Sequence, residues 1–291
     1  MTSGYDFLDQ LRSDFAELPG RAGRQHRPHT WLMAAPFGLA VICAVAVVML
    51  TRGGSGTVPT ASAATFLNTA ADHALSAPAA RLEPGQFYYE KYHGTDLGPL
   101  EGAIGTSEQW TNRVGTGRLL YDGHQILGFE ATVRHPVTTS FGNRGLTYAQ
   151  LQALPTDPQR LTGILRRASL PAGSIGVSEE EYRTIGQLLA GSPWPIPPHL
   201  RAALLRVATT IPGLTIEQDA RDCAGRRATA VVGHEQGYAD DKPVQMRFEL
   251  LFAAKTDLFL GERGTVIGQV QPFRCIALLR AGVVDTMTTR P

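Results

Sequence analysis

Residues 244–261 read VQMRFELLFAAKTDLFLG. Val244, Met246, Phe248, Leu250 and Phe252 fall on one side of the first half, with Arg247, Glu249 and Leu251 on the other. A period of two over this length marks a strand with one face buried. Lys255–Asp257 is turn chemistry, and Leu258–Gly261 resumes a strand. Working outward, the same period runs from Leu214 and closes with Arg274–Thr286. The sequence therefore predicts an antiparallel meander of about five strands, one face buried and one wetter.

Upstream, the period changes to that of helices from Thr147 to Ile211, so residues 147–211 read as a helical insert. Thr156–Gln159 has the form of a capping box with Pro158 in the first turn, leading into Leu161, Ile164 and Leu165. Ser178 and Glu181 repeat the box before Ile185, Leu188 and Leu189. Ser192–Pro198 (SPWPIPP) is a stiff connection to a third helix, His199–Thr210, stopped by Pro212–Gly213. Earlier still, Gln86–Tyr92 (QFYYEKY) reads as a strand with Phe87 and Tyr89 facing one way and Tyr88 and Tyr92 the other. Further strands are predicted around Thr106–Arg113 and Arg118–Asp122, whereas Gln125–Asn143 shows no clear period. Ser62–Ser76 reads as a helix in which Phe66, Ala70 and Ala74 form a stripe that would sit close against a sheet. Helices before and beside a large antiparallel sheet make the fold class α+β.

The segment before this domain has a different character. Trp31–Leu50 (WLMAAPFGLAVICAVAVVML) carries no charged residue. As a helix rising ~1.5 Å per residue it would cross a hydrocarbon core of roughly 30 Å, so it reads as a single transmembrane helix. Arg21, Arg24 and Arg27 precede it and only Arg52 follows before Arg81, which places the N-terminus in the cytoplasm and the C-terminal domain outside. The nearest Ala-x-Ala (Ala61–Ala63) is too far downstream for a cleaved signal, so the span reads as an uncleaved signal-anchor in the plasma membrane. Residues 1–29 form a cytoplasmic tail in which Phe7, Leu11 and Phe15 mark a short amphipathic helix suited to a cytoplasmic partner or the membrane surface. Residues 30–50 are the span, 51–61 a Gly/Ser/Pro spacer (GGSGTVPT at Gly53–Thr60), and 62–291 the extracytoplasmic domain.

Composition and motifs exclude several functions. A net charge of +1 without a basic stripe gives no electrostatic footprint for nucleic acid. No Gly-x-Ser-x-Gly elbow, His-Glu-x-x-His, phosphate loop, dinucleotide fingerprint or Cys-x-x-Cys is present, so the sequence predicts a non-enzyme with no cofactor. His26, His29, His73, His93, His124, His135, His199 and His234 lack ligand spacing, and no metal is predicted. Asp240–Asp241 reads as a solvated turn, and Glu179–Glu181 as acids favoured at a helix N-terminus. Trp110 reads as a core residue and Trp194 as a cap on the helix pair. Cys43 lies inside the apolar run; Cys223 and Cys275 lie on the outer side, where disulfides persist. Pairing of Cys223 with Cys275 is the obvious expectation. A simple meander opposes it by placing them at opposite ends of the sheet, beyond the roughly 7 Å a disulfide spans.

Several stretches together carry a resemblance: ASAATFLNTAA, PGQFYYEKY, LPTDPQRLTGILRR, PPHLRAALLRVATTIPG, RFELLFAAKTDLFLGER and GVVDTMTTRP. The chain resembles a family of uncharacterised actinobacterial single-pass membrane proteins often encoded beside extracytoplasmic-function sigma factors. The family's outer domain is similar to the LolA/RseB fold, in which a curved sheet packs against helices. The resemblance implies no catalytic residue. The His-x-x-x-Cys-x-x-Cys zinc motif of many anti-sigma factors is missing from this sequence. It implies an extracytoplasmic binding or sensory protein for a lipid, lipopeptide or envelope protein, linked to envelope-stress or sigma-factor signalling. The aromatic residues Phe87, Tyr89, Phe248 and Phe252 are the candidate apolar ligand face. A structural or assembly subunit of an envelope complex, and an envelope hydrolase with a scattered site, are the rival readings.

Overall fold

The computed structural model of the chain describes residues 60–95, 104–129, 138–142, 144–169, 177–239 and 242–291. The predicted tail helix, the apolar run 31–50, most of the spacer and Asp240–Asp241 lie outside the described residues. Among the described residues, no helix is long and apolar enough to cross a membrane.

The fold is α+β with a large antiparallel sheet. Helix α1 spans Thr60–Ser76, starting two residues before the predicted Ser62. Strands β1 (Phe87–Thr95), β2 (Gly105–Asn112), β3 (Gly117–Tyr121) and β4 (His124–Phe129) follow as hairpins. A small hairpin, β5 (Thr139–Phe141) and β6 (Arg144–Leu146), leads into α2 (Tyr148–Gln152), α3 (Pro158–Ser169), α4 (Val177–Gly191) and α5 (Pro198–Ala208). The predicted meander is then β7 (Thr215–Arg221), β8 (Arg227–Ala239), β9 (Lys242–Ala253), β10 (Phe259–Val266) and β11 (Arg274–Val284). The two meanders join through β1 and β11, giving one nine-stranded sheet in the order β4-β3-β2-β1-β11-β10-β9-β8-β7.

Caps define the helix starts. Thr147 and Gln150 form a complete capping box on α2. On α3 the Asp157 carboxylate accepts from the Arg160 amide at 2.9 Å, so the cap is Asp157 and not the predicted Thr156. Pro158 explains the difference: fixed at φ near −65° and without an N–H, it suits the first helical position, which puts the cap one residue before it. Glu181, read from sequence as a helix-end acid, is buried and paired with Arg166 of α3 at 2.8 Å.

The core lies between the helices and one face of the sheet. Alternation along β9 sends Leu250 and Phe252 into it, with Phe248 packed at its edge. Helix α5 is its centre, with Leu200, Ala202, Ala203, Leu204, Leu205 and Val207 all buried. The alanine stripe of α1 packs chiefly on α5 and only secondarily on the sheet, contrary to the sequence expectation. Small residues on both helices (Ala70 and Ala74, Ala202 and Ala203) permit that close approach, and Phe66 reaches the sheet instead, edge-on to Phe252 at 5.3 Å.

The opposite face of the sheet is not simply wet. Tyr89, Trp110, Leu120 and Val284 form one cluster there, and Ala228, Ala230, Val232 and Leu251 another. Beside the second runs an ion ladder, in which Arg247 bridges Glu217 and Glu249, and Glu249 also holds Arg263. Sheet curvature is set where the ladder slips. A bulge in β7 puts Asp219 at φ 59°, and another in β10 puts Gly261 at φ 149°. A Cβ at Gly261 would lie 1.9 Å from the Ile276 carbonyl oxygen of β11. Gly261→Ala is therefore expected to cost about 3 kcal/mol in chemical denaturation. Gly163→Ala in α3, where a Cβ meets only the Arg167 side chain at 3.6 Å, should instead stabilise by about 0.5 kcal/mol.

Candidate functional site

The four aromatic residues of the predicted ligand face are not brought together. Phe248 and Phe252 belong to the helix-covered face, where Phe252 is fully buried. Phe87 and Tyr89 belong to the opposite face, packed with Trp110. The β1 residue that shares a face with Phe252 is Tyr88. Parity within β1 was readable from the sequence. Parity between β1 and β9 depends on the registers of β11 and β10 and on their bulges.

On the outer face, the Tyr89 hydroxyl donates to Glu108 at 2.8 Å, and Arg290 also holds that carboxylate. Burial works against ionising Glu108, but the Arg290 and Tyr89 hydrogen bonds keep its pKa below the usual carboxylate range. Trp110 donates from Nε1 to the Thr289 carbonyl at 2.7 Å, and the guanidiniums of Arg118 and Arg290 lie 5.8 and 5.4 Å from its ring centre. The segment after β11 thus covers this cluster, and Phe87 and Tyr89 serve as packing beneath it.

The more informative place is the seam between the sheet and the helices. A cavity of about 40 Å³ lies there. Its polar lining is Tyr88 and Glu90 from β1, Ser192 after α4, and Arg201 from α5. The rest is apolar: Leu189, Trp194, Ile196, Phe259 and Leu278. Trp194 is held in place by its Nε1 donating to the Asn112 carbonyl at 2.8 Å. The volume suits a water or two and no acyl chain.

Glu90 is the unusual group. It is 6 % exposed in a core that is otherwise mostly apolar. Burial pushes its carboxyl up to about 8; hydrogen bonds from the Tyr92 and Tyr88 hydroxyls and the charge of Arg201 oppose that rise without cancelling it. The same burial, with Glu90 beside them, raises the Tyr88 and Tyr92 hydroxyls far above their ordinary range. Farther along the same face, Glu262 is buried against Gly186 of α4 and ion-paired with Arg274. The alternation Tyr88-x-Glu90-x-Tyr92 was the available signal for this site: it places a carboxylate between two hydroxyls on a face that must be covered. Arg201 gave none, because nothing local links it to a strand more than a hundred residues earlier.

Cys223 and Cys275 are bonded, with Cα atoms 5.8 Å apart. The expectation that a meander separates them fails because the sheet is not flat. The β7–β8 turn folds over the sheet, so that Arg226 donates to the Leu278 carbonyl at 2.8 Å and Arg263 to the Arg221 carbonyl at 3.1 Å. Among the described residues there is no group of three or more His, Cys, Asp or Glu placed to hold a metal ion. Set beside family models, curated proteins and solved structures, the chain matches none of them.

Proposed function

We propose that the chain is a membrane-anchored extracytoplasmic binding and sensory protein. Its outer domain, built on the LolA/RseB plan, takes a lipid or lipopeptide between the sheet and the helices. The observation that carries this reading is the mixed lining of the seam. Glu90, Tyr88 and Arg201 give a polar end, and Trp194, Ile196, Phe259 and Leu278 an apolar wall. Ionisable groups placed in a core lower stability unless they are fully satisfied, so a ligand that uses them accounts for their presence. The cavity is too small for an amphiphile as it stands, and binding requires the helices to lift from the sheet. That movement is the event the cytoplasmic tail, residues 1–29, would report inward to envelope-stress or sigma-factor signalling. The disulfide on the outer domain fits an oxidising compartment, and the uncharged run 31–50 fits the anchor.

Native mass spectrometry of the full chain, extracted from a native-like host in mild detergent, tests the ligand. A lipid-sized mass should accompany the wild type, and its occupancy should fall about tenfold in Arg201→Ala if the guanidinium holds the polar head. A clean apo mass in every preparation would defeat the binding reading.

A further inference from the structure

Three large apolar side chains of the β10–β11 loop are exposed, Phe273 while also packing edge-on to Phe248 at 5.6 Å. Ile267 is 54 % exposed, Val270 95 % and Phe273 44 %. The loop, residues 267–273, reads IGQVQPF and contains no charged residue; Arg274, ion-paired with Glu262, follows at its base. An uncharged apolar tip is the composition of segments that enter the headgroup region of a bilayer.

The direction of α1 says which way this loop faces. Phe66 packs on Phe252 at 5.3 Å, and His73, two turns later, lies 3.5 Å from Asp257 in the β9–β10 turn. From Phe66 back to its first residue, Thr60, helix α1 therefore leads away from the β9–β10 turn. The β10–β11 loop leaves the sheet at the end opposite that turn: Val266 pairs with Met246, and the Ile267 amide donates to the Gln245 carbonyl at 2.8 Å. The chain enters the domain from the side on which the apolar loop projects. Residues 51–59 separate Thr60 from the apolar run ending at Leu50, and fully extended they reach only about 30 Å.

We propose that the β10–β11 loop is a second membrane contact, in which Ile267, Val270 and Phe273 insert into the interface of the bilayer that anchors the chain. This rests on the anchor reading, and it explains why apolar side chains are left uncovered at this end of the sheet. A loop held at the interface also fixes the orientation of the domain, so that β10 and β11, which border the seam through Phe259 and Leu278, lie nearest the lipid.

The test uses the full chain with Cys43→Ala, so that the bonded pair is the only native cysteine present. An environment-sensitive fluorophore is attached at Val270→Cys or, as control, at Leu258→Cys, which is 53 % exposed near the β9–β10 turn at the other end of the sheet. Both are reconstituted in phosphatidylcholine/phosphatidylglycerol vesicles containing brominated lipid. The label at 270 should shift to the blue and be quenched at least ~3-fold more than the label at 258, and Ile267→Ser with Phe273→Ser should abolish the difference. Water-like emission at both positions, in vesicles that keep the chain through an alkaline carbonate wash, overturns the loop contact and leaves the anchor standing. A blue shift without lipid quenching overturns it in favour of a protein or a second copy covering the loop. Release of the chain by carbonate overturns the anchor reading and the loop contact together.

Discussion

Between pH 5 and pH 9 the α+β domain should lose on the order of 4 kcal/mol of stability, and Glu90→Gln should remove most of that loss. The sign follows from the proton count. The folded carboxyl is pushed up to about 8 from a reference of 4.5. Across that window the folded chain keeps a proton that the unfolded chain has released, so stability falls as pH rises. The contribution is fully present below the reference value and is lost by the folded one. Gln has the shape of the protonated acid, keeps a donor and an acceptor for the Tyr88 and Tyr92 hydroxyls, and cannot ionise. Urea denaturation of the full chain in detergent micelles at pH 5, 7 and 9 reads the effect. The variant should match the wild type at pH 5 and exceed it at pH 9. Parallel curves would mean that the carboxyl is solvated, and that the seam is wetter than its lining implies.

The neighbours of Glu90 refine this expectation. Arg201 from α5 is the cation that lowers its pKa, while Tyr88 and Tyr92 on its own strand hydrogen-bond the ionised form. Glu262 of β10 bears on Tyr92 but is itself paired with Arg274. Arg201→Met should therefore move the stability loss to higher pH. A charge that appears between the sheet and a helix layer favours separation of the two, because ionised groups gain solvation when the seam opens. In the proposed function the same separation admits the ligand.

The contrast between what could and could not be read from the sequence has a physical origin. The alternation from Val244 to Phe252 was readable because strand period is local, and so were the helices that begin at Pro158 and Pro198. The pairing of β1 with β11 was not, since it joins segments nearly two hundred residues apart that carry no mark of their partner. That pairing turns two meanders into one sheet, and with the bulge between Lys91 and Tyr92 it sets which β1 residues meet the helices. Phe87 and Tyr89 looked equivalent to Phe248 and Phe252 as aromatic strand residues, and only the intervening registers separate them. Strand β4 escaped because its sequence, HQILGF, alternates for too few residues to stand out.

Replacing Cys223 and Cys275 together by Ser should destabilise the domain by about 4 kcal/mol, the loop-closure cost of a bridge across 52 residues. Reductant should do the same to the wild type and nothing further to the variant. The loss should be accompanied by release of the β7–β8 turn, because the contacts that fold it over the sheet are few: Arg226 on the Leu278 carbonyl, Arg263 on the Arg221 carbonyl, and the bridge itself. Protease cleavage near Gly225, in a turn whose own hydrogen bonds to Asp222 do not tie it to the sheet, should then appear under reducing conditions at concentrations that leave the oxidised protein whole. A change below about 1 kcal/mol would show that the bulges at Asp219 and Gly261 curve the sheet without help, and that the bridge only records a proximity already present. The larger value ties folding to the compartment. A domain that depends on a bridge between a hairpin turn and a strand on the far side of β9 reaches full stability only where thiols oxidise, as the extracytoplasmic placement in the proposed function requires.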